Sequence, residues 1–104
     1  MEYSKAQQKY LRKASHQHKT LFQLGKLGIT DTFIEQVDAA LEKRELIKFH
    51  ILQNSSEDID EASALIAEKT GAFIVQVIGS TVILFRPSSQ EKYQDLSREV
   101  KQIK

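Results

Sequence analysis

The chain has 104 residues, of which 40% are hydrophobic and 28% are charged, values near those of ordinary globular proteins, so we expect one soluble domain with one core. No stretch approaches the eighteen or so unbroken apolar residues of a membrane span, and the first residues lack the apolar segment of a signal peptide, which favours a cytoplasmic protein without membrane contact. The absence of cysteine excludes disulfides and thiolate chemistry.

The net charge of +1 hides a marked asymmetry along the chain. Residues 1–26 hold six lysines and arginines against one acidic residue, whereas residues 31–70 hold four against ten. A basic front followed by an acidic back is typical of a protein that places one face on a polyanion and turns the other to solvent.

A first helix is predicted from Ser4 to about Gln17, with Ser4 and Gln7 forming a capping box. Its cations fall within an arc of about 100° on one side of the helix. This basic stripe consists of Lys5, Lys9, Arg12, Lys13 and His16. Because no acidic residue interrupts the stripe, we expect it to bind phosphates, and charge geometry adds Lys19 to the same set.

A Gly-x-x-Gly loop, Gly25-Lys26-Leu27-Gly28, lies between a predicted strand, Thr20–Leu24, and a second helix capped by Thr30. Glycines allow positive φ angles and a close approach to a partner, and the free N–H groups at a helix start favour an anion. Lys26 adds a cation. An isolated loop of this kind is more often a plain strand-to-helix turn, but its basic neighbours here favour phosphate binding.

The second helix is expected to end near Arg44 or Glu45, and a second strand follows over Leu46–Gln53. Alternation in this strand predicts Ile47, Phe49 and Ile51 on one side and Lys48 and His50 on the other. We interpret residues 54–56 as a turn and helix cap, and Gly71 as the end of the third helix. Two well-buried strands, residues 73–78 and 81–86, are then joined by a hairpin turn at Gly79-Ser80.

Pro87 is expected to end the last strand, and a capping box of Ser88 and Glu91 to start a final helix. This helix has a narrow apolar stripe that consists of Tyr93, Leu96, Val100 and Ile103. Two alternatives are open for this stripe: it packs on the domain itself or on a partner. The predicted fold is α/β, with helices packed on a four-stranded mixed sheet in the order α-β-α-β-α-β-β. We expect residues 1–87 to form the domain and residues 88–104 to form a C-terminal helical extension.

Four blocks of the sequence, in order, resemble the CRM domain (chloroplast RNA splicing and ribosome maturation), most closely its stand-alone bacterial YhbY-like members. The blocks are Lys5 through Arg12, Gln23 through Thr30, Glu45 through Lys48, and Gln76 through Gly79 leading into Leu84 through Pro87. The resemblance implies a fold similar to the C-terminal domain of translation initiation factor three. It further implies RNA binding on precursors of the large ribosomal subunit, and no catalysis.

Within that resemblance, the RNA-contacting loop falls on Gly25, Lys26, Leu27 and Gly28, and the basic helix positions fall on Lys5 and Arg12. The chain departs from the family pattern at three positions: Thr20, where proline is common, Leu27, where a small polar residue is common, and Ser80, where a basic residue is common.

Other chemistry has weak support in the sequence. His16 and His18 diverge on a helix and His50 lies on a strand, so surface or second-row RNA contacts are favoured over a metal site. The acids Asp58, Asp60 and Glu61 fit the first turn of a helix better than a catalytic pair. No nucleophile-base pair, cofactor fingerprint or phosphate-binding Gly-Lys motif is present.

We therefore predict an RNA-binding protein, not an enzyme, without cofactor or metal, that contacts ribosomal RNA of the large-subunit precursor and possible ribosomal or assembly proteins. With aromatic side chains sparse, recognition is expected to depend on RNA shape more than on base reading. The alternative is a protein-interaction adaptor that uses the acidic helices or the apolar stripe of the last helix.

Overall fold

The fold is described from a computed structural model, which describes residues 3–25, 28–52 and 58–103. Predicted helices and strands appear in the expected order, with one additional short 3-10 helix at Glu91–Tyr93. The elements are α1 (Lys5–Ser15), β1 (Thr20–Leu24), α2 (Asp31–Arg44), β2 (Leu46–Ile51), α3 (Ile59–Thr70), β3 (Phe73–Ile78), β4 (Thr81–Phe85) and α4 (Asp95–Gln102). The α/β class and the four-stranded mixed sheet are confirmed.

The sheet has the strand order β1-β2-β4-β3. β1 and β2 are parallel, whereas β2 with β4 and β4 with β3 are antiparallel. The crossover between the parallel strands is made by α2, as a parallel pair requires a long connection. Because β1 runs to the loop at residues 25–28, that loop lies at the end of the sheet opposite to the start of β2.

Helices cover both faces of the sheet, because the strand side chains alternate between two separate apolar clusters. Ile47, Phe49 and Ile51 of β2 pack with α2 and α3 in one cluster. Leu46 packs instead with Leu11 of α1, in a second cluster that also holds Val100 of α4. The basic helix and the two acidic helices are therefore on opposite faces of the sheet.

The predicted helix caps hold at two positions and shift at a third. Ser4 and Gln7 form the expected capping box, and the Thr30 side chain accepts a hydrogen bond from the Phe33 N–H. The cap of α3 is Asp58, which accepts from the N–H groups of Asp60 and Glu61. The prediction of a cap within residues 54–56 is therefore wrong, and the predicted turn there lies outside the described residues. Asp58 prevails because its carboxylate satisfies two helix amides at once.

β3 is less buried than its sequence suggests, since it forms an edge of the sheet, and Ile78 at its end is 51% exposed. The hairpin turn at Gly79-Ser80 is confirmed, with Gly79 at φ 56°. β4 is an interior strand, and its residues Val82 to Phe85 are all buried.

The start of the C-terminal segment differs from prediction. Ser88 and Glu91 do not cap α4, whose N-cap is Gln94 with no side-chain cap hydrogen bond. Ser88 is 3% exposed, its N–H donates to the Glu45 carboxylate at 2.7 Å, and its hydroxyl accepts from Gln90 N–H at 3.0 Å. These contacts hold Ser88 in a buried connection before the helix begins.

α4 packs against α1 within the same molecule. Val100 is 2% exposed and Leu96 packs against the cluster that contains Leu11. The Gln7 side-chain amide donates to the Val100 carbonyl at 3.0 Å, and the Tyr10 hydroxyl hydrogen-bonds the Glu99 carboxylate. Of the two alternatives for the apolar stripe, the structure shows the first: the stripe packs on the domain itself.

Candidate functional site

The basic stripe lies on the solvent side of α1. Lys5, Lys9, Lys13 and His16 are exposed and Arg12 is partly exposed, while Leu11 on the opposite side is 0% exposed and anchors the helix to the sheet. The first turn of α1 contains no acidic residue, and Arg12 and Lys13 lie in its last turn. Burial of the apolar side thus fixes the helix so that its uninterrupted positive charge faces solvent.

The two glycines of the Gly-x-x-Gly loop are joined by a hydrogen bond from the Gly28 N–H to the Gly25 carbonyl at 3.0 Å. Gly28 has φ 72°, a conformation that favours glycine, whereas a Cβ on Gly25 would meet only Leu52 at an ordinary 3.7 Å. The expectation that both glycines supply positive φ therefore holds for Gly28 alone. Lys26 and Leu27 lie outside the described residues.

A shallow depression of about 280 Å³ joins the loop to the start of α2. Its lining includes both glycines together with Thr30 and Thr32 of the helix start. The Thr30 side chain already accepts from the Phe33 N–H at 3.0 Å, so that amide is satisfied. The N–H groups of the first turn and the positive end of the helix dipole favour an anion in this depression.

The loop and the basic stripe are not adjacent in the chain. α1 leads into the start of β1 and the loop follows its end, so five strand residues separate them. At about 3.3 Å per residue, the strand spans roughly 15 Å between Lys19, at its start, and the loop. The surface between them is formed by β1 and its parallel neighbour β2.

Lys19 is exposed at the start of β1 and lines a depression of about 520 Å³. The same depression includes His18 and Arg44. Burial lowers the pKa of His18 from its usual value, and the charges of Lys48 and Arg44 lower it further, while a hydrogen bond to the Leu46 backbone acts in the opposite direction. These side chains form a positively charged cluster beside the end of the stripe.

Sequence reasoning identified Lys19 in this cluster but missed Arg44 and Lys48. Both belong to residues 31–70, whose net charge is negative, so the segment sum concealed them. The alternation of β2 was the available signal, because it placed Lys48 on the side away from the α2 and α3 helices. The place of Arg44 in the cluster could not be predicted from the sequence, because it depends on where the last turn of α2 lies in the fold.

Several acidic side chains of α2 are engaged within the molecule. Asp38 forms an ion pair with Arg86 at 2.6 Å, and Glu42 accepts hydrogen bonds from Ser88 and from both the N–H and the hydroxyl of Ser89. The Ser89 and Ser88 contacts, with the nearby Arg86, hold the pKa of Glu42 below its usual value. Glu45 is 0% exposed and accepts from Ser88 and Ser97. The expected acidic exterior is therefore partly a set of internal contacts.

The described residues contain no group of three or more histidine, cysteine, aspartate and glutamate side chains that could hold a metal ion. Within the same part of the chain, no helix has the length and apolar character needed to cross a membrane. Asp58 caps α3 and Asp60 and Glu61 lie in its first turn.

Comparison with known proteins gives consistent matches over most of the chain. Residues 4–86 match the model of the CRS1 / YhbY (CRM) domain. A Bacillus subtilis (strain 168) protein named "Probable RNA-binding protein YqeI" is 38% identical over 90 residues, which cover 86% of this chain and 94% of that protein.

A Haemophilus influenzae protein named "RNA-binding protein" is 31% identical over 91 residues, which cover 88% of this chain and 92% of that protein. The solution structure of the Staphylococcus aureus protein SAV1595 superposes with a TM-score of 0.72 at 40% identity, covering 90% of this chain and 98% of that one.

Proposed function

Because this chain belongs to the CRS1 / YhbY (CRM) domain family, we propose that it is an RNA-binding protein that associates with precursor large-subunit ribosomal RNA in the cytoplasm during ribosome assembly. The observation that carries the proposal is the basic stripe of α1, which is uninterrupted by acids and exposed along the helix. The names of the relatives from Bacillus subtilis and Haemophilus influenzae support RNA as the partner. The proposal that this RNA is the large-subunit precursor rests on the resemblance of the sequence to the family.

The stripe and the loop would act on the RNA backbone in different ways. The lysines and Arg12 neutralise phosphates, a contact that positions RNA without reading its sequence. The loop, tightened by the hydrogen bond between Gly28 and Gly25, brings backbone amides close to a sugar-phosphate chain, as Gly-x-x-Gly loops do in KH domains. Neither contact supplies a nucleophile or a general base, so the proposed function is binding without catalysis.

The adaptor alternative loses its apolar surface in this structure. Val100 and Leu96 of α4 pack on the domain, and Glu42 and Glu45 accept hydrogen bonds from the C-terminal segment. Asp38 forms an ion pair with Arg86 of the domain. A partner protein that used these side chains would first have to displace the contacts within the molecule. No observation among the described residues favours that over RNA binding.

The proposal predicts that removing charge from the stripe weakens RNA binding, whereas removing the same charge from the other face does not. Lys9→Gln with Lys13→Gln changes the stripe, and Lys43→Gln with Lys69→Gln is the matched control on α2 and α3, where both lysines are exposed. Affinity for large-subunit ribosomal RNA fragments is measured in about 100 mM salt, where charges more than about 10 Å apart are largely screened.

If about five phosphates are neutralised, the intact chain should lose log affinity against log salt with a slope of roughly −3.5 to −4.5. From about 100 mM salt upward, the stripe variant should have a slope shallower by about 1.4 to 1.8, and the control should keep the original slope. A third form with Lys26→Asp and Leu27→Asp tests the loop. Equal affinity and slope in the stripe variant and its control would remove the basis of the proposal.

A further inference from the structure

One half of the sheet face that carries α1 is left uncovered. In the covered half, Leu46 and Phe85 are 0% exposed, and the Tyr3 ring lies 5.6 Å from the Phe85 ring between centroids. In the half next to the Gly-x-x-Gly loop, neighbouring strands pair Gln23 with His50, His50 with Thr81, and Thr81 with Ile78. These four residues form a continuous row, which we call the open row.

The open row is accessible and ends beside the loop. Gln23 is exposed, His50 and Thr81 are partly exposed, and Ile78 is 51% exposed. Gln23 precedes Gly25 by two residues, so the row begins at the point where the loop begins. A depression of about 520 Å³ runs along β1 and includes Gln23, Thr20 and His50 in its lining.

The imidazole of His50 is held in one orientation from both sides. Its Nδ1 lies 2.8 Å from the Thr81 hydroxyl and its Nε2 lies 3.3 Å from the Thr20 hydroxyl. These threonines come from the two strands that flank β2. An aromatic ring that is fixed before binding loses little conformational entropy when a ligand stacks on it.

The charge of this surface suits RNA. Lys48 lies beside the row, two residues before His50 on the same side of β2, in the direction of His18 and Arg44. In the described chain, the open row and the residues that pair with Lys48, which are Thr20 and Ile83, include no acidic side chain. This part of the surface therefore combines a cation, hydroxyls, the Gln23 amide and the His50 ring with the apolar side chains of Ile78 and Ile83.

We propose that the open row is a seat for unpaired RNA bases, which makes single-stranded RNA, and not duplex, the ligand of this surface. The inference rests on the proposed RNA-binding function and gives it a substrate class. His50 supplies a ring for base stacking, Ile78 supplies apolar contact, and Gln23 and Thr81 supply hydrogen-bonding groups for base edges. Bases can reach these groups only when they are unpaired, because in A-form RNA the base faces are stacked inside the helix.

This assignment differs from the expectation of shape recognition, which followed from the scarcity of aromatic residues. A sheet can present bases with few aromatic side chains if a ring is placed at the centre of an open row. The phosphates of the same RNA segment would extend to the loop on one side and toward Lys48 and Lys19 on the other. A single segment of a few nucleotides would then contact the loop, the open row and these lysines.

The test uses the full chain and a short single-stranded RNA from the large-subunit precursor, compared with the same RNA annealed to its complement. The variants are His50→Ala and Ile78→Ala, and Leu65→Ala is the control, since Leu65 is 39% exposed on α3 across the sheet. Circular dichroism and thermal melting verify that each variant is folded. Thr81→Val keeps the ring but removes one of the hydrogen bonds that orient it.

The intact chain should prefer the single strand, and His50→Ala should weaken that affinity about tenfold, the usual scale of one base-aromatic stack. Ile78→Ala and Thr81→Val should lose less, and Leu65→Ala nothing. A fluorescent adenine analogue in the strand should be quenched by the intact chain and not by His50→Ala, a readout that backbone contacts alone do not change.

The failure of this inference differs from the failure of the proposed function. If the intact chain binds duplex as well as single strand, and the three open-row variants bind like Leu65→Ala, the seat for bases is overturned while RNA binding stands. If the intact chain binds neither RNA at 100 mM salt, both are overturned.

Discussion

At the residue scale, Glu45 shows what a local sequence pattern cannot reveal. Its position at the end of α2 was predicted, and helix ends commonly carry exposed charge. In the structure its carboxylate is buried and accepts N–H groups from Ser88 and Ser97, which are more than forty residues later in the chain. Its backbone also has φ 65°, outside the helical region. An acceptor whose donors arrive from such a distance leaves no local signature.

His18 is a second residue whose behaviour depends on neighbours from other elements. Burial and the cations Lys48 and Arg44 disfavour its charged form, so its pKa in the folded chain lies below the 6.5 of an unperturbed histidine. The unfolded chain therefore binds more protons in this interval. The stability associated with His18 is full above about pH 6.5 and is lost as the pH falls toward the folded pKa.

We expect nuclear magnetic resonance titration of the His18 ring to give a pKa below 6.5 in the free protein and a higher pKa with RNA bound. A phosphate near Lys48 and Arg44 would offset their repulsion of the imidazolium. Lys48→Met should raise the pKa of the free protein, and His18→Gln should remove this part of the pH dependence of stability. An RNA complex in which the His18 pKa is unchanged would mean that no phosphate occupies this depression.

At the element scale, periodicity predicted the four α-helices and four strands in the right order, whereas the 3-10 helix at Glu91–Tyr93 was not predicted. Ser4 with Gln7 and Thr30 were readable because both the donor and the acceptor of each cap lie within one turn. The predicted box of Ser88 and Glu91 has the same spacing but failed, because Ser88 is held by Glu45 and Glu42 from another element. Sequence spacing identifies a possible cap and cannot exclude a stronger distant partner.

The candidate site divides in the same way. The basic stripe could be predicted because one helix carries all of it, and burial of Leu11 confirms which side faces solvent. The open row could not, because it takes one residue from each of four strands and exists only once the strand order and register are known. RNA contact by either surface remains a prediction.

The attachment of α4 gives a prediction at this scale. Glu45→Ala leaves two buried amide donors without an acceptor, so we expect the free energy of unfolding to fall by about 3 kcal/mol. The amides of α4 should lose protection in hydrogen exchange. Glu91→Ala is the control in the same segment, because its ion pair with Arg98 is exposed at 3.9 Å and contributes little. Full protection of α4 in Glu45→Ala would assign the docking to its contacts with α1, which are apolar packing and the hydrogen bonds of Gln7 and Tyr10.

At the scale of the whole molecule, the sheet separates two charged layers. α1 carries the basic stripe on one face, and α2 and α3 carry seven acidic residues on the other. The shorter dimensions of the molecule are 25 and 23 Å. The Debye length is about 8 Å at 0.15 M salt and about 30 Å at 0.01 M. The acidic layer should therefore act on RNA at the opposite face only when salt is low.

Glu35→Gln with Glu68→Gln tests this separation, since both side chains are exposed. We expect RNA affinity to rise about twofold in 0.01 M salt and to stay unchanged in 0.15 M. Lys43→Gln with Lys69→Gln, of opposite sign on the same layer, should lower affinity at low salt only. A gain that persists at 0.15 M would place these acids within direct reach of the RNA.

The placement of α1 on one face and of α2 and α3 on the other also determines how many RNA strands one protein molecule can bind. A particle with a single cationic side can coat a strand but cannot join two strands, because its outward side repels the second polyanion. Added in excess, such a protein should keep long RNA molecules apart in solution and should not gather them into condensates. The two-sided charge of the sheet would thus make this small domain a monovalent cover for RNA.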